Sequence, residues 1–334
     1  MPTEKNILIV GGAGFIGSHM VYYLKKMGYT PIVLDNFSTG HRNAVQDVEC
    51  IEGDIADTHL LDQIFSKHTI SAVMHFASLI QVGESVHEPG KYYANNVAAT
   101  IHLLNAMLKW KIQYFIFSSS AAVYGEPQYT PIDEQHPLLP INPYGRSKWI
   151  IEKILEDFAR AYDFHYAALR YFNAAGRDPE TTLKECHEPE SHLIPLILKA
   201  IEKKQPITIY GQDYSTPDGT CIRDYVHVSD LCSAHLLALN TLIKTQQSFS
   251  CNLGTGEGYS VQQVIDTARQ VTGCPIEVKI GPRRDGDPAV LVADPTFAMH
   301  KLNWQPVCSD LSTIIQHVWQ GVAEAVPVCN YRGV

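Results

Sequence analysis

The run from Ile7 to Val10, followed by Gly11, Gly14 and Gly17, constrains this 334-residue chain more than any other segment. Its apolar, mostly β-branched residues have the length and composition of a buried strand, and a helical pattern resumes after the last glycine. Strand, glycine turn and helix form the opening of a βαβ unit whose turn accepts an anion. Gly11 permits the turn, Gly14 lets backbone N–H groups approach a pyrophosphate, and Gly17 allows the helix to pack closely on the strand. Gly12, Phe15 and Ile16 belong to the same loop and the first helical turn. A second apolar strand begins at Thr30 and ends in Asp35, about twenty residues beyond the glycines, where a carboxylate can accept the hydroxyls of an adenosine ribose. Asp35 and the following Asn36 favour NAD over NADP, because a 2′-phosphate would meet the carboxylate as a like charge. Arg42 is the nearest cation and lies too far along.

Buried-strand patterns recur near residues 48–53, 71–76, 114–119 and 165–171, with helical segments such as 58–67 and 93–111 between them. This alternation predicts an α/β fold: a Rossmann-type, doubly wound parallel sheet with ligands at the carboxyl ends of its strands. Those ends carry Asp35-Asn36, Asp54-Ile55, Phe76-Ala77-Ser78, Ser118-Ser119-Ser120 and Phe172-Asn173. Asp54 and Ile55 fit the adenine edge, and Asn95, in the helical stretch that follows, is a candidate to reach the cofactor. Beyond Arg177 the pattern loosens into turn chemistry at Asp178-Pro179-Glu180, Glu188-Pro189-Glu190 and Thr216-Pro217-Asp218-Gly219. The expected division is therefore 1–177 with 224–255 as the NAD-binding domain, and 178–223 with 256–334 as a smaller substrate-binding region.

The formal charge of −9 contains no long basic run, so neither a nucleic acid partner nor a polybasic membrane anchor is indicated. No stretch is long enough to span a bilayer. Eight cysteines, at 50, 186, 221, 232, 251, 274, 308 and 329, show no metal-ligand spacing, so no metal is expected. They read as reduced thiols, and a cytoplasmic location follows as the default.

Tyr144 and Lys148 sit four apart at the start of a helical run. That spacing places them on one helical face, where an ammonium can favour the phenolate. A phenol ionises near pH ~10 and a useful base near neutrality, so the lysine and a positive nicotinamide ring would push in the required direction. An isolated Tyr-x-x-x-Lys is usually an incidental surface pattern. Following a dinucleotide turn and the Ser118–Ser120 strand end, it reads as a proton-transfer pair, with a hydroxyl relay through Ser120.

On these residues the chain resembles the UDP-glucose 4-epimerases of the extended short-chain dehydrogenase/reductase superfamily. The likeness runs nearly end to end, through Gly-Gly-Ala-Gly-Phe-Ile-Gly-Ser-His, Val-Gly-Glu-Ser-Val, Ser-Ser-Ser-Ala-Ala-Val-Tyr-Gly, Tyr-Gly-Arg-Ser-Lys, Arg-Tyr-Phe-Asn-Ala-Ala-Gly, Pro-Asp-Gly-Thr-Cys-Ile-Arg-Asp-Tyr-Val-His-Val and Arg-Arg-Asp-Gly-Asp-Pro. The resemblance implies a retained NAD, reduced and reoxidised in each turnover, and a UDP-hexose substrate. It implies that Tyr144, assisted by Ser120, removes the 4-hydroxyl proton while Lys148 holds the nicotinamide ribose. By motif position, Asn173, His192, Leu193, the segment Thr208-Ile209-Tyr210, Arg223, Arg284 and Asp287 would hold the nucleotide sugar. Arg223 and Arg284 offer planar forks to a diphosphate, although Arg223 could instead pair with Asp224 or Asp230. A homodimer is also implied, paired through helices near 93–111 and 147–161.

Two positions depart from the family pattern. Ile80 stands where a lysine near the pyrophosphate is usual, and Leu291 where some members carry a tyrosine bordering the hexose pocket. Leucine leaves more room for a 2-acetamido group. Other readings stay open at this stage. Epimerases of a UDP-pentose or uronate share the pattern. A 4,6-dehydratase would place an Asp-Glu pair where this chain has Ala121-Ala122. A non-catalytic NAD-binding protein would keep the glycines but have little need of Tyr144, Lys148 and Ser120 together.

Overall fold

Strands apolar on both faces form a sheet that must be covered twice, and this dictates the layers. The computed structural model describes residues 5–185, 189–284 and 287–323. Six strands precede the loop-rich region: β1 (Asn6–Val10), β2 (Thr30–Asp35), β3 (Glu49–Glu52), β4 (Ala72–His75), β5 (Tyr114–Ser120) and β6 (His165–Tyr171). Shorter strands follow as β7 (Asn173–Ala175), β8 (Ile207–Tyr210), β9 (Ile222–Arg223) and β10 (Tyr225–His227). The last four are β11 (Phe249–Leu253), β12 (Tyr259–Ser260), β13 (Val278–Gly281) and β14 (Val290–Leu291). The helices are α1 (Phe15–Lys26), α2 (Thr58–Lys67), α3 (Val82–His87), α4 (Pro89–Tyr92), α5 (Ala99–Lys109) and α6 (Pro143–Ala161). They continue with α7 (Leu193–Lys203), α8 (Val228–Thr245), α9 (Val261–Thr272), α10 (Thr296–Leu302) and α11 (Leu311–Ala323).

The main sheet has seven strands in the order β11-β6-β5-β4-β1-β2-β3. All its pairings are parallel. Along β1, Ile7 and Ile9 point into a core closed by Met20, Leu24, Leu231 and Leu239 of α1 and α8. Leu8 and Val10 point to the other face, closed by Leu61, Leu103, Leu104, Ile151 and Leu155 of α2, α5 and α6. Each such fully buried side chain contributes about 1.5–3 kcal/mol of transfer free energy. Strand order reverses between β1 and β4, so the crevice of a doubly wound sheet opens at Gly11 and Phe76.

Two expectations shift. Glu49–Glu52 is an edge strand with mostly exposed side chains rather than a buried one. The helix expected over 93–111 opens as a π-helix at Tyr93–Ala98 before becoming α5.

The segment after β6 builds three small sheets: β7 with β10, β9 with β12 and β14, and β8 with β13. Ile194, Ile197, Ile209, Val264, Ile265, Ile314 and Ile315 form their shared core. Between them, β10, α8 and β11 return the chain to the main sheet. α10 also packs beside α8 and β11, with Ala298, Leu302 and Trp304 in the larger core. Asp230 binds this return by accepting from Val307 N–H, Cys308 N–H and Ser309 Oγ, at 3.0, 2.9 and 2.6 Å.

Candidate active site

The glycine turn lies at the reversal in strand order. Gly11 has φ +77°, and a Cβ there would stand 2.5 Å from Ala77 N, so the turn and the closeness of the β4 end both require glycine. At Gly17 a Cβ would lie 2.1 Å from Gly11 O; at Gly14 its nearest neighbour, again Gly11 O, would be 3.5 Å away. Protein packing therefore demands Gly11 and Gly17, whereas Gly14 faces open space. Gly14 is the N-cap of α1 and makes no side-chain cap bond. This leaves the first-turn N–H groups of Phe15, Ile16 and Gly17 directed at that space. Gly12 packs on Val33, with a Cβ 2.9 Å from its methyls. These features fit a pyrophosphate laid over the turn.

Asp35 closes one side of the cradle. Its Oδ2 accepts from Ala13 N–H and its Oδ1 from Phe37 N–H, both at 2.8 Å. The carboxylate thus locks the glycine loop and retains lone pairs for ribose hydroxyls. Asn36 donates to Asp54 Oδ2 at 2.7 Å, joining two adjacent strand ends. Ile55 is buried in the core on the α2 side, so its side chain is committed to packing. On the other side, Phe76 and Ala77 donate their N–H groups to Val10 O at 2.8 and 3.1 Å. The Phe76 ring lies 5.0 Å from that of His235.

α6 begins at Pro143 behind an Asn142 cap that accepts from Gly145 N–H. Tyr144 and Lys148 consequently share a helical face. Lys148 is 2% exposed and donates Nζ to Ser78 Oγ and to the Ser118 carbonyl, both at 2.7 Å. It lies 5.9 Å from the Tyr144 ring centroid. The ammonium therefore approaches the ring while its bonds go to the ends of β4 and β5. It is the Ser118 carbonyl, not its hydroxyl, that meets Lys148. Burial pushes Lys148 down to about 7 against the upward pull of Glu152. Burial likewise pushes the Tyr144 phenol up, and the opposing hydrogen bond comes from Ser120. Ser120 Oγ also accepts from Ala122 N–H at 3.2 Å, which fixes its rotamer. Ala121 and Ala122 offer no acid or base beside it.

Sequence reasoning missed Asn96. Next to Asn95, which merely donates to it at 2.9 Å, Asn96 is fully buried in the π-helix. It accepts from Leu79 N–H at 2.9 Å and donates to Leu79 O at 3.1 Å and Ser147 Oγ at 3.0 Å. This ties the loop bearing Ser78 to the turn of α6 bearing Tyr144. Ile80 just beyond is 39% exposed, so its surface position provides no cation for a pyrophosphate.

The candidate substrate residues gather around β9. Arg223 donates Nη1 to Ile222 O at 2.7 Å and pairs through Nη2 with Asp287. Neither Asp224 nor Asp230 is its partner; Asp224 instead accepts from Thr255 N–H at 2.9 Å, Thr255 Oγ1 at 2.8 Å and Ala293 N–H at 3.2 Å. Burial still pushes Asp224 up to about 6. Asn173 Nδ2 donates to Asp224 O at 3.1 Å, bringing it beside Arg223. Leu291 is in register with Arg223 and, like Trp149 and Phe172, packs against the buried cluster of Ala121, Val123, Tyr124 and Ile132. Arg284 lies 4.2 Å above the Tyr210 ring. Arg223, Asp287 and Arg284 all act electrostatically on the Cys221 thiol, placing them in one neighbourhood. Thr208 is partly exposed on β8, whereas the Ile209 side chain faces the small-region core.

His192 occupies the N-cap of α7 without a side-chain cap bond, and Leu193 opens the helix. His192 Nδ1 pairs with Glu185. Among the described residues, Glu185, Glu190 and His192 bring three metal-capable atoms within 4.8 Å of one another. Glu190 Oε1 is already engaged by the N–H groups of Ser191 and His192, at 2.9 and 3.0 Å. No disulfide joins the described cysteines, and Cys186 and Cys329 lie outside the described residues. No helix among the described residues is long and apolar enough to cross a membrane.

The family pattern described as the NAD dependent epimerase/dehydratase family matches residues 7–254. A UDP-glucose 4-epimerase of Halalkalibacterium halodurans is 51% identical over 314 residues, covering 94% of each chain. The crystal structure of UDP-glucose 4-epimerase from Brucella ovis in complex with NAD superposes with a TM-score of 0.92 at 48% identity, covering 95% of this chain and 98% of that one. The UDP-Glc/GlcNAc 4-epimerase from Campylobacter jejuni superposes with a TM-score of 0.83 at 40% identity, covering 96% and 99%.

Proposed function

The chain belongs to the NAD dependent epimerase/dehydratase family, and we infer that it interconverts UDP-glucose and UDP-galactose by inverting the sugar at C4. One observation carries this reading. Tyr144, Ser120 and Lys148 converge beside the glycine cradle, while Ala121 and Ala122 leave no group to expel a 6-hydroxyl as a dehydratase must.

Gly11, Gly12, Gly14, Phe15, Ile16 and Gly17 would hold the pyrophosphate of NAD, Asp35 its adenosine ribose, and Lys148 with Ser78 its nicotinamide ribose. Bound there, NAD supplies a reversible acceptor for the hydrogen at C4. Tyr144, polarised by Ser120, takes the proton of the 4-hydroxyl and returns it to the same oxygen after the sugar has turned its other face. Lys148, together with the positive nicotinamide when NAD is bound, would offset the upward pull of burial on Tyr144. Arg223 and Arg284 receive the diphosphate, and for this Arg223 exchanges part of its pairing with Asp287 for phosphate oxygens. Asn173, Leu291, Tyr210, Thr208, His192 and Leu193 border the nucleotide sugar. The stretches 178–223 and 256–334 act as its cap over the domain formed by 1–177 and 224–255.

A homodimer paired through α5 and α6, acting in the cytoplasm on galactose-derived sugars, is part of the same reading. Leucine rather than the bulkier tyrosine at position 291 and the likeness to the Campylobacter jejuni UDP-Glc/GlcNAc 4-epimerase support partial turnover of N-acetylated sugars as well.

The test is to incubate the purified protein with UDP-galactose and no added NAD. UDP-glucose should form without net NADH, and Tyr144→Phe should retain NAD and lose turnover. A Tyr144→Phe variant that epimerised normally would refute the mechanism.

A further inference from the structure

Behind Tyr144 lie three buried groups that the mechanism above does not use: Ser119, Glu152 and Arg170. Glu152 follows Lys148 by one turn on the buried face of α6 and is 1% exposed. Arg170 on β6 stands in register with Ser119 on β5. It donates Nε to Glu152 Oε1 at 3.0 Å and Nη2 to Oε2 at 2.6 Å, and Nη1 to the Tyr124 hydroxyl at 2.9 Å. Ser119 Oγ donates to Glu152 Oε1 at 2.5 Å. Tyr124 passes the chain on to Asn252 Oδ1 at 2.6 Å.

A buried ion pair is a weak stabiliser, because apolar residues of equal volume serve a core as well or better. Its placement here is more informative. Ser119 sits between Ser118, whose carbonyl receives Lys148, and Ser120, whose hydroxyl meets Tyr144. A clamp from α6 onto Ser119 therefore holds both flanking contacts in place. The pair is also oriented: its carboxylate end is the charge that acts on Lys148. Among the described residues, the other ionisable groups around Lys148 and Tyr144 are His75 on β4, which burial keeps neutral, Tyr171 on β6, which bonds Ser118, and Tyr92 at the end of α4. Tyr124, Tyr166 and Arg170 lie on the far side, around Glu152.

Resting on the reading that Tyr144 and Lys148 carry out C4 epimerisation, we propose that Glu152 is a positioning residue. Held by Arg170, it fixes the end of β5 through Ser119 and keeps a negative charge one helical turn from Lys148.

The deciding experiment compares wild type, Glu152→Gln and Ser119→Ala as full-length protein with NAD. The readouts are kcat and KM for UDP-galactose across pH, and an ultraviolet titration of Tyr144 taken as the difference from Tyr144→Phe. Glu152→Gln keeps the shape and removes the charge. Its kcat should fall about tenfold or more with KM within about twofold, the cost of a slightly misplaced reacting group. Lys148 should lose its proton at lower pH, which draws down the alkaline limb of the pH–rate profile, and the Tyr144 titration should shift with the changed charge behind it. A uniform loss of rate with unmoved limbs and an unmoved tyrosine titration would overturn the proposal and leave Glu152 a structural residue. Should Glu152→Gln not fold, Ser119→Ala decides: reduced kcat at unchanged KM supports the clamp, and wild-type kcat overturns it. If the wild type fails to epimerise UDP-galactose while Glu152→Gln still moves the Tyr144 titration, the functional reading falls and the positioning role stands.

Discussion

Gly14→Ala and Gly17→Ala should fail in opposite ways, although the residues lie one helical turn apart. At Gly17 the new methyl would lie 2.1 Å from Gly11 O, a backbone atom that cannot swing aside. The loop or helix must shift, at the cost of overpacking a dense site, about 1–3 kcal/mol. For a domain of this size that lowers Tm by roughly 2–4 °C per kcal/mol, with or without ligand. At Gly14 the nearest protein atom to a methyl is 3.5 Å away, an ordinary contact. The fold loses only the N-cap preference of glycine over alanine, at most about 1 kcal/mol. The methyl instead occupies the space open to the pyrophosphate. Overpacking there by the same 1–3 kcal/mol corresponds to about a 5- to 150-fold rise in Kd. Calorimetric titration of each NAD-stripped variant with NAD, beside its melting curve, separates the two. The reasoning is refuted if Gly14→Ala binds NAD like wild type, or if Gly17→Ala melts like wild type.

Lys148→Met should be inactive yet more stable in the NAD-stripped form at pH 6. Burial lowers Lys148 to about 7, so its charge costs the fold stability below that pH, and the cost fades as pH rises from about 7 toward its unfolded value. The Tm difference between variant and wild type should shrink across that window. Acid should unfold the protein steeply: burial holds His19 and His235 near 4 and His75 and His227 near 3. Their neutral forms support the fold above about 6.5 and lose that support as pH falls. One pH unit below the unfolded value, each costs about 1.4 kcal/mol, a drop that melting curves at pH 7.5 and 5.5 would register. UDP-N-acetylglucosamine should be turned over more slowly than UDP-galactose, and Leu291→Tyr should abolish only the former. No turnover of the acetylated sugar under conditions giving robust UDP-galactose turnover would sink that idea.

The main sheet was legible because its information is local. Residues 165–171 and 58–67 read correctly, since an apolar run and an amphipathic period each declare themselves within one window. The cradle and the Tyr144–Lys148 face were legible for the same reason. Glu152 extends that four-residue spacing by one more turn and could have been found the same way. Arg170 and Asn96 could not, because their partners come from other strands and helices. The pairing of Arg223 with Asp287 joins residues 64 apart through a two-residue strand, and nothing in either neighbourhood announces it. The π-helical turn at Tyr93–Ala98 is likewise set by what Asn96 must reach rather than by its own sequence.

The seventh strand of the main sheet carries a consequence for synthesis. β11 pairs with β6, matching Phe249 to Ala167, but is translated roughly 80 residues later. At about 5–20 residues per second, the nascent chain spends some 4–16 seconds with a sheet one strand short. During that interval Ala167 and Leu169, fully buried in the finished protein, line an open edge able to pair with any extended segment nearby. The intervening residues, which supply strands to the small sheets, thus delay closure of the main sheet, and overexpression is expected to lose material to aggregation at this stage rather than after folding.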